Sequence, residues 1–408
     1  MTTPGRMPAE APLAGVRVVD FTRLLPGPVC TLHLADLGAD VVKIEDTGAG
    51  DYARGLGAAG ATPSLVFRNV NRGKRSLAVD LKSRDGHACV IALVKRADIL
   101  VESFRPGVMG SLALGYATLS SHNPRLVYAS ISGYGQQGPR AAMAGHDVNY
   151  LGYAGVLDEI GSRGGAPAIP NLQVADLLGG AACAAIPILA ALFRAARTGQ
   201  GARIDVAMSD AVLAHQHFAL QALFRDGATR PRGDDLLSGG VPAYGVYRTA
   251  DDRYVAVGAL EARFWRALCA TLGRDDLAPL GLATGAEGAR VRGELDAIFA
   301  AAPLAHWTAR FAGVDCCVSP VATLAEALAD PQFAARRMVE WRDDGTPSLA
   351  PPWKLDDDAR ATGDAAPAQG EHSREVLAEA GYDAAAIDAL VARGVVRVSP
   401  SSPPAPCA

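Results

Sequence analysis

Apolar and polar positions in the first half of the chain follow two alternating patterns. VRVVDF (16–21) and DVVKIE (40–45) are short, nearly continuous apolar runs, the pattern of strands buried on both faces. Between them PVCTLHLADLGA (28–39) has Pro at its start and Gly near its end, as a helix does. ADILVESF (97–104) and RLVYASISGYG (125–135) repeat the strand pattern, and NRGKRSLAVDLK (71–82) holds a shorter strand-like core. Strand–helix–strand alternation predicts an α/β fold with a doubly wound parallel sheet and right-handed crossovers. Ligands of such sheets gather at the carboxyl ends of the strands.

The second half changes character. RDGATRPRGDDLLSGG (225–240) is a Gly/Asp/Arg-rich break that reads as a linker. YGVYRTADDRYVAVGAL (244–260) predicts a hairpin with a polar Asp-Asp-Arg turn, and helical patterns continue to about residue 330, a smaller α+β unit. LDDDARATGDAAPAQG (355–370) predicts an extended loop, and residues 370–396 predict two short helices. SPSSPPAPCA (399–408) is a disordered tail by composition.

Composition narrows the function. Lys and Arg number 39 against 43 Asp and Glu, a net charge of −4, which leaves no basic footprint for nucleic acid. The seven cysteines form an odd set without a C-x-x-C pair, which predicts reduced thiols in the cytoplasm and neither a zinc site nor a disulfide framework. MTTPGRMPAEAPLAG lacks the apolar core of a secretory signal. LLGGAACAAIPILAALF (177–193) falls short of a usual span and is interrupted by two glycines and a proline. It predicts a buried Ala-rich helix of a soluble protein with no membrane partner.

Several motifs carry candidate chemistry. Gly55, Gly57 and Gly60 in GLGAAG match a dinucleotide fingerprint, but they do not join a strand to a helix, so a loop is expected and a nicotinamide cofactor is rejected. No metal site is expected. Arg72, Lys74, Arg75 and Lys82, with Arg105 after the third strand, suit a polyanionic ligand or a solvated basic loop equally well. AGHDVNY (144–150) and NLQVADLLGGA (171–181) place His146 and Asp176 as acid–base candidates. The bland alternatives are a satisfied core histidine and a helix cap. Glu261 closes VAVGALE, where an edge glutamate is equally ordinary.

Together these segments resemble the class III CoA-transferase (CaiB/BaiF) superfamily. The likeness runs in order from PLAGVRVVDFTRLLPGP through LADLGADVVKIE, NRGKRSLAVDLK, SFRPGVM, LVYASISGYGQQGP, TGQGARIDVAMSDA and YVAVGALE to PVATLAEALADPQFAARRM and GEHSREVLAEAGYD. It implies a Rossmann-like large CoA-binding domain with its N-terminal part in residues 1–224. A small domain at 225–340, a return to the large domain at 341–396 and a tail at 397–408 complete it. It also implies an interlocked homodimer. AGHDVNYLGYAGVL resembles the α-methylacyl-CoA racemase motif, which implies a catalytic His146 and Asp176 with Glu261 assisting. Asp176 equally matches the transferase nucleophile, so an aspartyl-anhydride CoA-transferase is the alternative, and an idle acyl-CoA binder a third reading. Val79, Lys82, Arg105, Gly145, Asp147 and Tyr150 are the implied acyl-CoA contacts, with acyl-CoA as substrate and no cofactor. Racemases of this type carry a phosphate-gripping arginine just after the second strand. Asp46 stands there in this chain, leaving Lys82 and Arg105 as the best matches for that grip. The stretch 48–71 is longer than in compact racemases and resembles transferase-like members.

Overall fold

The computed structural model describes residues 11–57, 63–355 and 365–400. The chain divides into two compact units. One is drawn from Met1–Ala154, Asn171–His215 and Gln332–Ala408, the other from Gly155–Pro170 and Gln216–Pro331.

Six parallel strands form the frame of the first unit: β1 (Arg17–Asp20), β2 (Asp40–Glu45), β3 (Arg75–Val79), β4 (Ile99–Glu102), β5 (Val127–Ser132) and β6 (Ala202–Ala207). Their spatial order is β3-β2-β1-β4-β5-β6, so the winding direction reverses between β1 and β4. Val18 pairs with Val41 on one side and with Ile99 on the other. Every residue of β4 and β5 is buried, which explains their largely apolar runs. The segment 125–135 was expected to be strand throughout. It leaves the sheet at Ser132, and the remainder begins the loop that leads to His146.

In the basic segment after residue 70, Arg72, Lys74 and Arg75 are taken up by carboxylates of the fold, while Lys82 is exposed. Arg72 Nη2 meets Asp36 at 2.9 Å, and Arg75 binds Asp40, Glu375 and Glu379. Lys74 is buried and donates to Asp20 (3.2 Å), the Pro28 carbonyl (2.8 Å), Thr31 (2.8 Å) and Asn71 (2.9 Å). Beside it buried Lys43 meets Asp51 at 2.8 Å and the Thr22 carbonyl at 2.7 Å. Burial lowers the Lys74 ammonium to about 8 despite the opposing pull of Asp20. Burial alone would raise Asp20, but Lys74, Lys43 and the Thr22 and Thr31 hydroxyls outweigh it and hold the carboxyl below its usual range. These charges stitch together the segments that follow β1 and β2 and the one that precedes β3.

In the second unit β7 (Tyr244–Arg248) and β8 (Tyr254–Gly258) form the expected hairpin, and β9 (Val318–Pro320) adds antiparallel to β8. Helices Ala262–Leu272, Gly285–Phe299 and Leu304–Phe311 cover it around Tyr247, Trp265, Phe299 and Trp307. Helix His217–Asp226 runs into the start of the expected linker.

Back in the first unit, β10 (Val339–Trp341) and β11 (Pro347–Leu349) make a separate ribbon, and β12 (Val396–Arg397) pairs antiparallel with β3. The two expected C-terminal helices are Ser373–Glu379 and Ala384–Ala392, and Val376, Ile387 and Leu390 enter the main core. Part of the 355–370 loop, Gly60, and residues 401–408 of the tail lie outside the described residues.

The apolar helix was expected to be buried, and the first unit covers only one face of it. Ala175–Thr198 is long and apolar enough to cross a membrane. Ala184, Ile188, Ala191 and Ala195 form its buried stripe, while Ile186 and Phe193 are exposed. The six described cysteines are free thiols.

Candidate active site

The loop leaving β5 ends at His146, which begins the short helix Asp147–Tyr153 as its N-cap residue in an extended conformation. The His146 backbone N–H donates to Asn149 Oδ1 at 3.0 Å, which fixes the entry into the helix and leaves the His146 side chain exposed. Asp147, next in the chain, is buried. Its Oδ1 accepts the backbone N–H of Asp176 at 3.0 Å. One buried carboxylate therefore ties the residue beside His146 to the residue that carries the second acid–base candidate.

Asp176 lies in the first turn of Ala175–Ala182, a segment with the wider π-helical turn before the regular helix Cys183–Thr198. Such turns recur at functional sites because they re-aim side chains out of a regular helix. Asp176 stands in the first turn, as the helix-cap reading has it, and the N-cap residue itself is Val174. Burial pushes the Asp176 carboxyl up to about 7, and the charge of Asp147 adds to the rise. A carboxyl poised there is divided between acid and base at neutral pH.

Tyr150 holds the turn that carries His146. Its hydroxyl donates to the Gly145 carbonyl, and its ring fills the space over Gly133 and Gly145. A Cβ at Gly133 would stand 2.2 Å from the Tyr150 ring, so only glycine fits. Tyr134 packs edge-on against Tyr150 (5.2 Å) and Tyr153 (5.6 Å). Burial, then the nearby Asp176, push the Tyr150 phenol up to about 12, with Arg105 opposing them. The phenol therefore stays a donor, and Arg105 shares this electrostatic neighbourhood.

The other expected contacts are placed differently. Val79 is fully buried in the core at the β12 edge of the sheet, so its side chain faces no ligand. Lys82 is exposed beyond β3, and Arg105 is exposed beyond β4. Glu261 is the exposed N-cap residue of Ala262–Leu272 in the second unit, where its charge is felt by the Cys317 thiol. Arg23, which the sequence reading passed over, pairs with Asp46 at 3.2 Å. Its signal was positional, as it lies just past the strand where the winding reverses.

Asp147→Asn removes a negative charge from beside Asp176 and keeps an oxygen for the 3.0 Å bond. The Asp176 carboxyl is expected to fall toward the ordinary carboxylate range. Its protonation midpoint, followed by carboxyl-labelled NMR titration, moves to lower pH in the variant. An unmoved midpoint rejects Asp147 as a cause of the rise.

The model of CoA-transferase family III matches residues 13–373, which reach through both units. The chain is 37% identical over 372 residues to alpha-methylacyl-CoA racemase of Homo sapiens, covering 91% of this chain and 94% of that one. It is 36% identical over 348 residues to acetyl-CoA:oxalate CoA-transferase of Acetobacter aceti, covering 83% and 87%. The crystal structure of a CAIB/BAIF family protein from Brucella suis superposes with a TM-score of 0.79 at 30% identity, covering 91% of this chain and 99% of that one. Likeness of this extent, to an isomerase and a transferase alike, makes the chain an enzyme of CoA-transferase family III.

Proposed function

We propose that this enzyme is a 2-methylacyl-CoA racemase or epimerase that inverts Cα of a CoA thioester by 1,1-proton transfer. The observation that carries the reading is the 3.0 Å bond by which Asp147, the residue beside His146, holds Asp176, a carboxyl that burial pushes up to about 7. Acid–base groups work best when their pKa lies near the working pH. His146 and Asp176 take the two roles, which swap with direction. The unprotonated group removes the α-proton, and the C–H electron pair passes to the thioester oxygen as an enolate. The protonated group then delivers a proton to the opposite face. The backbone N–H of Asp147, in the turn beside His146, is assigned to the enolate oxygen. Glu261 is assigned an assisting part, and Lys82 and Arg105 contacts to CoA. A cytoplasmic homodimer that needs no cofactor completes the proposal.

Near-equal identity to a transferase supports a second reading. In it Asp176 attacks the thioester carbonyl and CoA leaves as thiolate, giving a mixed anhydride. The thiolate then attacks the aspartyl carbonyl and expels the first acid as carboxylate. The acceptor carboxylate displaces CoA from the aspartyl thioester to form a second anhydride, whose acceptor carbonyl the thiolate attacks to give the new acyl-CoA and free Asp176. Proton NMR of (2R)-2-methylacyl-CoA in D₂O, with and without a carboxylate acceptor, separates the two. Loss of the α-proton signal without acceptor, abolished in His146→Ala and Asp176→Ala, is the expected result. Acceptor-dependent formation of a new thioester that needs Asp176 and tolerates loss of His146 overturns it in favour of transfer.

A further inference from the structure

Arg23 is the third residue beyond β1, and Phe104 the second beyond β4. Both stand at the carboxyl edge of the crevice where strand order reverses, the place where doubly wound sheets take ligands. The Arg23 backbone N–H donates to Ser103 Oγ at 3.2 Å, and its guanidinium lies 5.3 Å from the ring centres of both Tyr52 and Phe104. The side chain is thereby held between the segments that follow β1, β2 and β4.

Its charge partner is unusual. Asp46 Oδ2 accepts from Arg23 at 3.2 Å, while Oδ1 accepts the backbone N–H groups of Gly48 (2.9 Å) and Gly50 (3.1 Å). Two backbone N–H groups and a guanidinium converging on one anion are the donors that elsewhere take phosphate oxygens. Here a carboxylate from the same loop occupies them. The loop is fixed from behind: Gln369 donates to the Asp46 carbonyl at 2.7 Å, and Arg397 to the Gly48 carbonyl at 3.1 Å. The pair itself is open to solvent, with side-chain exposures of 24% for Arg23 and 42% for Asp46.

We infer that Arg23 grips a phosphate of the nucleotide end of acyl-CoA, and that Asp46 is a built-in anion which that phosphate displaces. The inference rests on the acyl-CoA reading above. At rest the carboxylate keeps the guanidinium oriented and competes with the ligand for it. The 3′-phosphate and the diphosphate of CoA offer the same chemistry, and either meets these donors.

Calorimetric titration of the full chain with CoA, 3′-dephospho-CoA and pantetheine tests this in the unsubstituted protein and in Arg23→Gln, Arg23→Lys and Asp46→Asn. Arg23→Gln is expected to weaken CoA binding about tenfold or more, the size of a lost charge-assisted contact. Pantetheine binding stays unchanged, Arg23→Lys falls between, and Asp46→Asn tightens CoA. A penalty that vanishes with 3′-dephospho-CoA assigns the grip to the 3′-phosphate, and one that persists assigns it to the diphosphate. Equal CoA affinity with and without Arg23, or an equal loss for pantetheine, overturns the grip. Weaker CoA binding by Asp46→Asn overturns the displacement. Failure of the unsubstituted chain to bind CoA is a different result, since it removes the acyl-CoA reading itself.

Discussion

Asp176→Asn is expected to slow α-proton exchange about 10²- to 10⁴-fold, the usual contribution of a positioned acid–base group. The substitution keeps the backbone N–H that bonds Asp147 at 3.0 Å, so the tie to the His146 turn survives. It also removes a carboxyl that burial makes reluctant to ionise, so it carries no large stability penalty of its own. The measurement is α-proton exchange into D₂O beside a urea unfolding curve. Exchange within a few-fold of the unsubstituted rate at unchanged stability rejects Asp176 as proton carrier. Because the equilibrium constant of a racemisation does not depend on pH, kcat/KM in the two directions is expected to follow one and the same pH profile.

Asp20→Ala is expected to be the most damaging single change to the fold, at about 3–5 kcal/mol, because it strands the buried Lys74 ammonium without its counter-charge. The pH dependence has a definite sign. Lys74 is already lowered to about 8, and loss of Asp20 removes the influence that raises it, so the variant's Lys74 deprotonates at lower pH still. Between that point and the ordinary lysine value the unfolded chain binds the extra proton, and stability rises with pH. Unfolding by urea at pH 7 and pH 9 reads this directly: the variant recovers part of its deficit at the higher pH. A deficit that is constant or grows with pH contradicts the stranded-ammonium account.

Much of this was visible in the chain, and the misses have physical causes. β1, β2, β4 and β5 were legible because they are buried on both faces and written as apolar runs. β6 lies at the sheet edge, alternates half-buried and exposed residues in ARID, and so offered no such run. β12 is two residues long and exists only through its pairing with β3, which no local pattern encodes. His146 and Asp176 were each readable as types, but the Asp147–Asp176 bond that couples them depends on packing between distant segments. The basic run Arg72, Lys74 and Arg75 misled for the converse reason. Its carboxylate partners, Asp36, Asp20 and Asp40, come from other elements of the fold.

The edge pairing at β3 also bears on how the chain matures on the ribosome. Ala78 in β3 donates to Ser373 Oγ, 295 residues further along. At about 5–20 residues per second of synthesis, roughly 15–60 s separate the emergence of the two. Through that interval the β3 edge, with the Ala78 N–H, is an unpaired template for foreign strands. Nascent chains truncated before Ser373 are therefore the ones most in need of chaperone cover, and a stop codon late in the message leaves an adhesive sheet rather than a shortened enzyme.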